Sequence, residues 1–324
     1  MKAAIYTRYG SAEEVLTVKE IERPQSNTND ILVKVYASTV NRTDTHNLTA
    51  TPFFMRLVIG LFGPKKKIPG TSFSGEVIEI GANISSFKPG DRVFGFDDEV
   101  ASSQAEYLTI TEDKVATIPD DVDYVDAAAS PEGAHYALNF INKVDLKRGD
   151  RVLVYGASGA IGSAAVQLLK HFGMEVTAVC SGRHLETVKS LGADRIIDYT
   201  KEDFTQDTTR YHFVLDAVGK ISFLQSKKLL LSGGVFASSD LGFLAQNMFL
   251  PMLAPLLKLL YDRKYTIFPM PVDIKRSLLL LQKLMANKEF KPLIDREYPL
   301  DEIVSAYQYV RQGKKTGNVA IRVI

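Results

Sequence analysis

The sequence predicts an α/β fold in which a doubly wound parallel sheet occupies the middle of the chain and a β-rich region is formed by its two ends. Three observations predict this. Residues 151–199 alternate strand and helix patterns around a glycine-rich turn, residues 2–118 alternate short β-like runs with turn residues, and further helix and strand patterns follow residue 270. The chain has 324 residues, about twice a typical domain, so two domains are expected.

The middle of the chain begins with a strand, a turn and a helix. The apolar run 151–155 leads into Gly156-Ala157-Ser158-Gly159-Ala160-Ile161-Gly162, and an alanine-rich helix follows. Gly156 allows a tight turn, small residues let backbone N–H groups approach a phosphate, and Gly162 lets the helix pack on its strand. The phosphate then lies at the helix N-terminus. Ser158 replaces the middle glycine of the common G-x-G-x-x-G pattern, so the assignment depends on the elements that follow.

Those elements complete a βαβαβ unit. A second strand is predicted at 175–180, a helix at 184–191 and a third strand at 195–199, which together form half of a Rossmann sheet. A fourth strand at 213–219 and a fifth at 234–238 continue it. The turn 156–162 is therefore assigned to the pyrophosphate of a dinucleotide; a glycine turn in an α/β domain without a nucleotide is the alternative.

The end of the second strand indicates which dinucleotide fits. An acidic side chain about 20 residues past the turn would accept a hydrogen bond from the ribose 2′-OH of NAD, but no carboxylate occurs here before Glu186. Ser181, Arg183 and His184 instead offer a hydroxyl, a guanidinium and the start of a helix to a 2′-phosphate. NADPH is therefore predicted. In the alternative, Arg183 and His184 only begin a solvated helix.

The flanking regions are expected to form one domain. Residues 123–142 favour helix, interrupted at Pro131, and link the N-terminal region to the middle of the chain. After Pro271 a helix, a strand at 293–298, a helix at 300–310 and a last strand at 318–324 are predicted. These strands have no partner in a Rossmann half, so they are expected to return to the N-terminal domain. The predicted domains are 1–123, completed by 270–324, and 124–269.

Composition excludes several classes of protein. A net charge of +1 gives no case for nucleic-acid binding, and 45% hydrophobic with 24% charged residues is typical of a globular protein. The single cysteine, Cys180, excludes an internal disulfide framework. The first residues lack the apolar core of a signal peptide, so a cytoplasmic location is predicted.

The segment Leu241–Leu260 is mostly apolar and has the length of a bilayer span. Pro251, Pro255 and Lys258 interrupt it, and a central Lys or an interior Pro costs about 3 kcal/mol. A membrane span is therefore rejected. A broken helical segment over a cleft or in a subunit contact is expected, with peripheral membrane attachment as the alternative.

Several motifs carry a resemblance that runs the whole length of the chain. They are Asn41-Arg-Thr-Asp44, Pro69-Gly-Thr-Ser-Phe-Ser-Gly-Glu-Val77, Phe87-Lys-Pro-Gly-Asp-Arg-Val-Phe-Gly95, the glycine turn, Leu191-Gly-Ala-Asp-Arg-Ile-Ile-Asp-Tyr199 and Asp216-Ala-Val-Gly219. In these the chain resembles the zinc-free quinone oxidoreductase (zeta-crystallin-like) branch of the medium-chain dehydrogenase/reductase superfamily. The resemblance implies a GroES-like β-rich catalytic domain built from both chain ends around a Rossmann domain, with cofactor and substrate between them, and a homodimer.

Metal ligands are scarce in the sequence. The resemblance places Asn41 and Thr71 where zinc-containing members have Cys and His. A zinc site requires about four Cys, His or carboxylate ligands, at most one of them replaced by water, and this chain has one cysteine and five scattered histidines. No metal is therefore expected. Without a Lewis acid, alcohol oxidation is disfavoured, whereas a quinone or an α,β-unsaturated carbonyl can accept a hydride.

The resemblance also supplies catalytic candidates. Asn41 matches the active-site asparagine of the family and can hold a substrate carbonyl or the cofactor ribose; a turn role is its alternative. His46 lies where relatives often carry a tyrosine, so it is a candidate proton donor, with an ordinary structural role as its alternative. Solvent is the other proton source. The segment 50–67 is expected to line the acceptor pocket.

Four further residues complete the predicted cofactor site. Tyr199 resembles a family residue near the 2′-phosphate, with a half-buried strand tyrosine as the alternative. The others lie at the ends of the fourth and fifth predicted strands and are Ala217, Val218 and Ser238. The function predicted is NADPH-dependent reduction of a small-molecule quinone or enone. An enoyl-thioester or ketone reductase and a non-catalytic NADPH-binding protein are the alternatives.

Overall fold

The fold is mixed α/β and forms two compact units. One comprises residues 1–132 and 273–324, and the other comprises residues 133–272. The computed structural model describes residues 1–97, 99, 102–242, 246–268, 270 and 272–324, and not the side chains of Phe54 and Val58. Residues 243–245 of the apolar segment, and residue 269 at the predicted domain end, lie outside this description. The predicted α/β class is confirmed.

The strands of the described residues are numbered in chain order. They are β1 (Lys2–Ile5), β2 (Thr17–Glu20), β3 (Asp30–Val40), β4 (Ser72–Ile80), β5 (Arg92–Phe96), β6 (Tyr107–Thr111), β7 (Val115–Thr117), β8 (Arg151–Tyr155), β9 (Glu175–Cys180), β10 (Arg195–Asp198), β11 (Tyr211–Asp216), β12 (Leu230–Ser238), β13 (Tyr265–Ile267), β14 (Ile294–Pro299) and β15 (Asn318–Arg322).

The α-helices of the same residues follow the same order. They are α1 (Ala12–Val15), α2 (Arg42–Thr49), α3 (Arg56–Ile59), α4 (Tyr124–Ala129), α5 (Pro131–Ile141), α6 (Ala160–His171), α7 (Leu185–Ser190), α8 (Phe223–Ser226), α9 (Gln246–Phe249), α10 (Ala254–Leu260), α11 (Ile274–Ala286) and α12 (Ile303–Arg311).

The first unit is built around a seven-stranded sheet. Its strand order is β14-β15-β3-β4-β5-β7, with β6 also paired to β3, and β1 and β2 form a separate hairpin-like pair. The last strand β15 returns to the N-terminal region, since it pairs antiparallel with β3 through Val319↔Val40 and Ala320↔Thr39. This confirms the expectation that the closing strands return there. Phe73, Tyr307 and Ile321 are among the buried residues of its core.

Residues 124–132 lie with the first unit, although the predicted division fell before residue 124. The carboxylate of Asp123 accepts the N–H of Asp126 at 2.7 Å and caps α4. The apolar face of α4 then packs on the sheet, with Val125 and Ala128 buried against Ala37 and Ala320. This packing attaches α4 to the first unit. A new helix, α5, begins at Pro131, the residue where the sequence predicted an interruption.

The second unit is a six-stranded sheet in which every neighbouring pair is parallel. Its strand order is β10-β9-β8-β11-β12-β13, the doubly wound order in which the direction of winding reverses between β8 and β11. Both faces are covered by apolar contacts, so Val152, Leu153 and Val154 of β8 are fully buried. Five of these strands were predicted from the sequence, and β13 was not.

The apolar segment Leu241–Leu260 is a broken helix where it is described. The helix α9 is followed by a 3-10 turn at Leu250–Leu253 and then by α10, with prolines at residues 251 and 255. Large apolar side chains of this segment face solvent, among them Met252 and Leu259. Across the described ranges, no helix combines the length and the hydropathy that a membrane crossing requires.

Candidate functional site

The glycine turn after β8 has the geometry that its sequence predicts. Gly156 has φ +78°, a left-handed conformation that glycine adopts without strain, and a Cβ on it would meet the Val218 side chain. The N–H groups of Gly156 and Ala157 donate to the carbonyl of Val179 at 3.0 and 3.1 Å. A Cβ on Gly162 would overlap the carbonyl of Gly156. The third glycine therefore permits the close approach of α6 to the turn.

The helix α6 presents its N-terminus at this turn. Gly159 is its N-cap, and Ala160, Ile161 and Gly162 form its first turn. The N–H groups of a first turn have no partner within their helix, and the helix dipole makes this end attractive to an anion. A pyrophosphate fits this arrangement because its charge and its acceptor oxygens meet both requirements.

The remaining predicted cofactor residues lie at the same edge of the sheet, because the carboxyl ends of parallel strands meet there. Ser181, Arg183 and His184 follow β9, and the Nε of Arg183 contacts the Nε2 of His184 at 2.9 Å. Tyr199 follows β10, is 48% exposed, and its ring centroid lies 6.2 Å from that of Tyr155. Three more follow β11 or end β12, and these are Ala217, Val218 and Ser238.

A buried carboxylate organises the loop after β11. Asp216 accepts the backbone N–H groups of Val218, Gly219 and Ile221 at 3.1, 2.9 and 3.1 Å and the hydroxyl of Ser238 at 3.1 Å. Burial raises the pKa of Asp216 despite these donors. The carboxylate thereby fixes the position of Ala217 and Val218. In the sequence Asp216 stands out only as part of a motif, and its role in the loop was not predicted.

In the first unit, the amide of Asn41 bridges two charged groups. Its Nδ2 donates to Glu132 Oε2 at 2.9 Å and more weakly to Thr39 Oγ1 at 3.4 Å, while its Oδ1 accepts from Lys315 Nζ at 3.2 Å. A carboxylate can only accept here and an ammonium can only donate, so the chemistry fixes the orientation of the amide. Both N–H groups of Asn41 therefore point at protein acceptors.

Glu132 is the centre of this buried cluster. Its Oε1 accepts from Thr43 at 2.8 Å, and its Oε2 accepts from Thr71 at 2.9 Å as well as from Asn41. Burial raises the pKa of Glu132, and the three donors together with Lys315 oppose that rise. Glu132 was not predicted from the sequence. The available signal was a carboxylate directly after the proline that begins a helix otherwise apolar on its inner face.

Asp44 is a second buried carboxylate, at the start of α2. Its Oδ2 accepts the backbone N–H of Asn41 at 2.7 Å, which satisfies one of the unpaired donors at a helix start. Burial and the neighbouring charge of Glu132 raise the pKa of Asp44 well above its usual value. The geometry is that of a structural hydrogen-bonding partner.

Lys315 lies in the loop between α12 and β15. Its ammonium donates to Asn41 Oδ1 at 3.2 Å and to the carbonyl of Gly317. The residue as a whole is half-buried, and desolvation of the ammonium lowers its pKa to about 8 against the attraction of Glu132. The loop is held in place, since the N–H of Thr316 donates to Asp295 at 2.9 Å.

A cavity of about 450 Å³ adjoins this cluster within the first unit. Asp44 and Thr71 form part of its wall, together with Ile59, Lys65 and Lys66 from the segment 50–67. The segment thus contributes to a cavity as expected, although Phe53 and Leu57 point to solvent. His46, on α2, is exposed and is not part of the cavity lining that the structure describes. The structure therefore brings Asn41 to the cluster and leaves His46 outside it.

The side chains of the cluster do not fit zinc. Asn41 and Thr71 supply an amide and a hydroxyl, both already engaged with Glu132, whereas zinc binds thiolate, imidazole or carboxylate. Among the described residues no group of three or more His, Cys, Asp and Glu side chains is placed to hold a metal ion.

Two family models match the chain. The alcohol dehydrogenase GroES-like domain matches residues 27–120, and the zinc-binding dehydrogenase model matches residues 191–321. The first lies within the β-rich unit, which identifies that unit as GroES-like. The matched segments contain Asn41, Thr71 and Lys315, and the glycine turn lies between them.

Relatives match over the whole chain. The 2-methylene-furan-3-one reductase of Solanum lycopersicum is 30% identical over 100% of this chain and 79% of its own length. The NADPH-dependent alkenal/one oxidoreductase of Arabidopsis thaliana chloroplasts is 26% identical over 99% of this chain and 79% of its own. The structure of the quinone oxidoreductase from Coxiella burnetii superposes with a TM-score of 0.85 at 27% identity, covering 100% and 99% of the two chains. The chain therefore belongs to the quinone oxidoreductase branch of the medium-chain dehydrogenase/reductase superfamily, whose members are NAD(P)H-dependent oxidoreductases.

Proposed function

We propose that this protein is an NADPH-dependent reductase that transfers a hydride to a quinone or to the β-carbon of an α,β-unsaturated carbonyl without zinc. The observation that carries the proposal is the single edge of the parallel sheet where the glycine turn, the start of α6 and Arg183 lie together. That edge offers donors for a pyrophosphate and positive charge for a 2′-phosphate.

The choice of NADPH over NADH depends on the residues after β9. A ribose 2′-OH would require an acidic acceptor there, and the chain has Ser181, Arg183 and His184 instead. Arg183 is exposed, so its guanidinium is accessible to a phosphate. The relative in Arabidopsis thaliana carries NADPH in its name, which supports the same choice.

The acceptor is proposed from the chemistry of the first unit. Without zinc, a developing alkoxide lacks a Lewis acid, so an acceptor that delocalises the arriving charge is favoured. The cavity beside Asp44 and Thr71 is the proposed acceptor site, and the cluster around Glu132 supports its wall. Asn41 is proposed to hold this site in shape, and the protein otherwise positions the reactants and excludes water.

The test is steady-state oxidation of NADPH and NADH with para-benzoquinone, phenanthrenequinone and hexenal, for the wild type and for Arg183→Ala. Loss of a charge-assisted hydrogen bond of about 1.5–3 kcal/mol should raise the KM for NADPH about 10- to 100-fold and leave that for NADH unchanged. Lys189→Ala, which removes an exposed positive charge from α7, is the matched control and should change neither KM.

Other outcomes would support the alternatives. A clear preference for an enoyl-CoA thioester or a simple ketone would replace the proposed acceptor. Binding of NADPH, seen as a change in its fluorescence, without oxidation by any acceptor would support a non-catalytic role. Activity with NADH alone would overturn the assignment of Arg183 to a 2′-phosphate.

The assembly and location are also proposed. We propose a homodimer formed through the open edge of β13 and the exposed apolar side chains of α10, because both present surface that another chain could cover. A cytoplasmic location stays a prediction from the sequence, and it is tested by fractionating cells that express the full chain.

A further inference from the structure

The segment 53–67 of the first unit leaves several large apolar side chains in solvent. Phe53 and Leu57 are 72% and 74% exposed, and Leu61 and Phe62 are 48% and 100% exposed. Single apolar residues scattered over a surface are ordinary, whereas several of them close together indicate an interaction site. This segment therefore contains a candidate interaction surface.

The loop that carries Phe62 is held in a defined shape. The N–H of Lys65 donates to the carbonyl of Ile59 at 2.9 Å and closes the loop. At the start of the loop, the hydroxyl of Tyr9 donates to the carbonyl of Gly60 at 2.7 Å. These bonds fix the backbone on both sides of Phe62, so the fold itself presents this ring to solvent.

Positive charge lies directly beside these apolar side chains. The loop is followed by exposed lysines at residues 65, 66 and 67, and Arg56 precedes it on α3. No acidic residue occurs between residues 50 and 67. Asp97 and Glu99 line the neighbouring cavity together with two of the lysines, and the four basic residues still leave an excess of positive charge. Exposed apolar side chains next to basic ones are the combination that binds an anionic lipid surface.

We propose that this surface, formed by Phe53, Leu57, Leu61, Phe62 and the three lysines that follow them, docks the protein on an anionic phospholipid bilayer. The apolar side chains would enter the boundary between headgroups and acyl chains. The lysines would lie against the phosphates of the headgroups. This inference goes beyond the proposed function and does not depend on it.

A second copy of this chain suits the surface less well than a bilayer does. In a symmetric dimer the same patch of both subunits meets, so the lysines of one copy would lie against those of the other. Like charges placed against each other oppose association, whereas an anionic bilayer attracts all of them. The proposed homodimer uses a different surface, at β13 and α10.

The test is co-sedimentation of the full chain with vesicles of phosphatidylcholine alone and of phosphatidylcholine mixed with phosphatidylglycerol. We expect the protein to bind the mixed vesicles far more tightly. Raising the salt from about 0.1 M to about 1 M shortens the Debye length from about 10 Å to about 3 Å, so the partition coefficient should fall about tenfold or more. Equal binding to both vesicles, or no binding to either, would overturn the proposal.

A triple variant locates the charged part of the surface. Lys65→Gln, Lys66→Gln and Lys67→Gln combined should lower the partition coefficient about 100-fold, since each lysine near an anionic bilayer contributes about 1 kcal/mol. The control removes the same charge at three exposed lysines elsewhere, and it combines Lys143→Gln, Lys147→Gln and Lys283→Gln. The control should bind nearly as the wild type does. Equal losses in the two triple variants would show that only net charge matters and would contradict the assigned surface.

Phe62→Ser tests the apolar part. Because the ring is fully exposed, the variant should keep the wild-type Tm and lower the partition coefficient about tenfold or more. Leu224→Ser, at a leucine 58% exposed on α8, is the control and should bind as the wild type does. Wild-type binding by Phe62→Ser together with lost binding by Leu259→Ser would move the lipid contact to the segment Leu241–Leu260 and overturn the inference. None of these measurements involves turnover, so their outcome is independent of the proposed reaction.

Discussion

At the scale of single residues, the candidate site depends on how Asn41 is held. Its amide lies between an anion and a cation, and both N–H groups are directed at protein acceptors. A substrate carbonyl would have to displace one of these contacts to use Asn41 as a donor, and an unsatisfied buried donor or acceptor costs about 1–3 kcal/mol. Asn41 is therefore better suited to positioning Lys315 and Glu132 than to binding the acceptor directly.

His46 supplies the first prediction. It is exposed on α2, so we expect His46→Ala to lower kcat for hexenal by less than about tenfold, whereas a proton donor supplies about 100-fold or more. Steady-state kinetics at saturating NADPH would measure this. A complete loss of turnover with NADPH binding intact would contradict this expectation and would identify His46 as the proton donor.

The role of a residue could be predicted from the sequence only where the backbone conformation requires a particular residue type. Gly156 and Gly162 were assigned correctly as turn and packing glycines, because a positive φ and a close approach each demand that residue. Glu132 and Lys315 were not predicted as parts of the cluster. They meet Asn41 from positions 91 and 274 residues away in the sequence, and no local spacing predicts such a contact.

At the scale of elements, the turn between β8 and α6 gives the second prediction. A Cβ at residue 162 overlaps the backbone of Gly156, and such overpacking costs about 1–3 kcal/mol. We therefore expect Gly162→Ala to lower Tm and to raise the NADPH dissociation constant about tenfold or more, a loss of about 1.4 kcal/mol. Fluorescence titration and thermal unfolding would measure the two effects.

The matched control lies outside the turn. Gly149 has φ +89° and nothing near its missing Cβ, so Gly149→Ala carries only the cost of a left-handed conformation, about 1–2 kcal/mol. It should lower Tm and leave NADPH affinity unchanged. Equal losses of affinity in both variants would contradict the close packing of α6 on the turn as the cause.

The predicted elements differ from the observed ones where the apolar pattern gives no signal. In β13 the buried residue is the polar Thr266, while the more apolar Tyr265 and Ile267 are only partly buried. The apolar residues of this segment therefore do not mark its buried face. The strand β2 has little buried surface at all. The longer parallel strands were predictable because both of their faces are covered and their sequences are continuously apolar.

At the scale of the whole molecule, the proposed homodimer gives the third prediction. Leu259 on α10 is 80% exposed, so Leu259→Lys should convert a dimer to a monomer at micromolar concentration. As a surface substitution it should change stability by about 0.5 kcal/mol or less. Sedimentation velocity would measure the state. Leu224→Lys, at a leucine 58% exposed on α8, should leave the dimer intact, and a monomeric wild type would contradict the proposal.

The overall architecture was more predictable than the site. The unpartnered strands after residue 290 required the chain to return, and β15 does pair with β3. It was harder to predict which unit contains residues 124–132. The helix α4 is attached by contacts with Ala37 and Ala320, and both of these residues lie far from α4 in the sequence. A composition rich in alanine predicts a helix there and does not say which sheet the helix covers.

The position of β15 inside the seven-stranded sheet has a consequence for synthesis on the ribosome. Val40 of β3 is translated long before its partner Val319 in β15. At about 5–20 residues per second, the N-terminal strands wait roughly 14–56 s for that partner. During this interval the nascent first unit exposes an open strand edge that chaperones can bind, while the contiguous residues 133–272 have already been made.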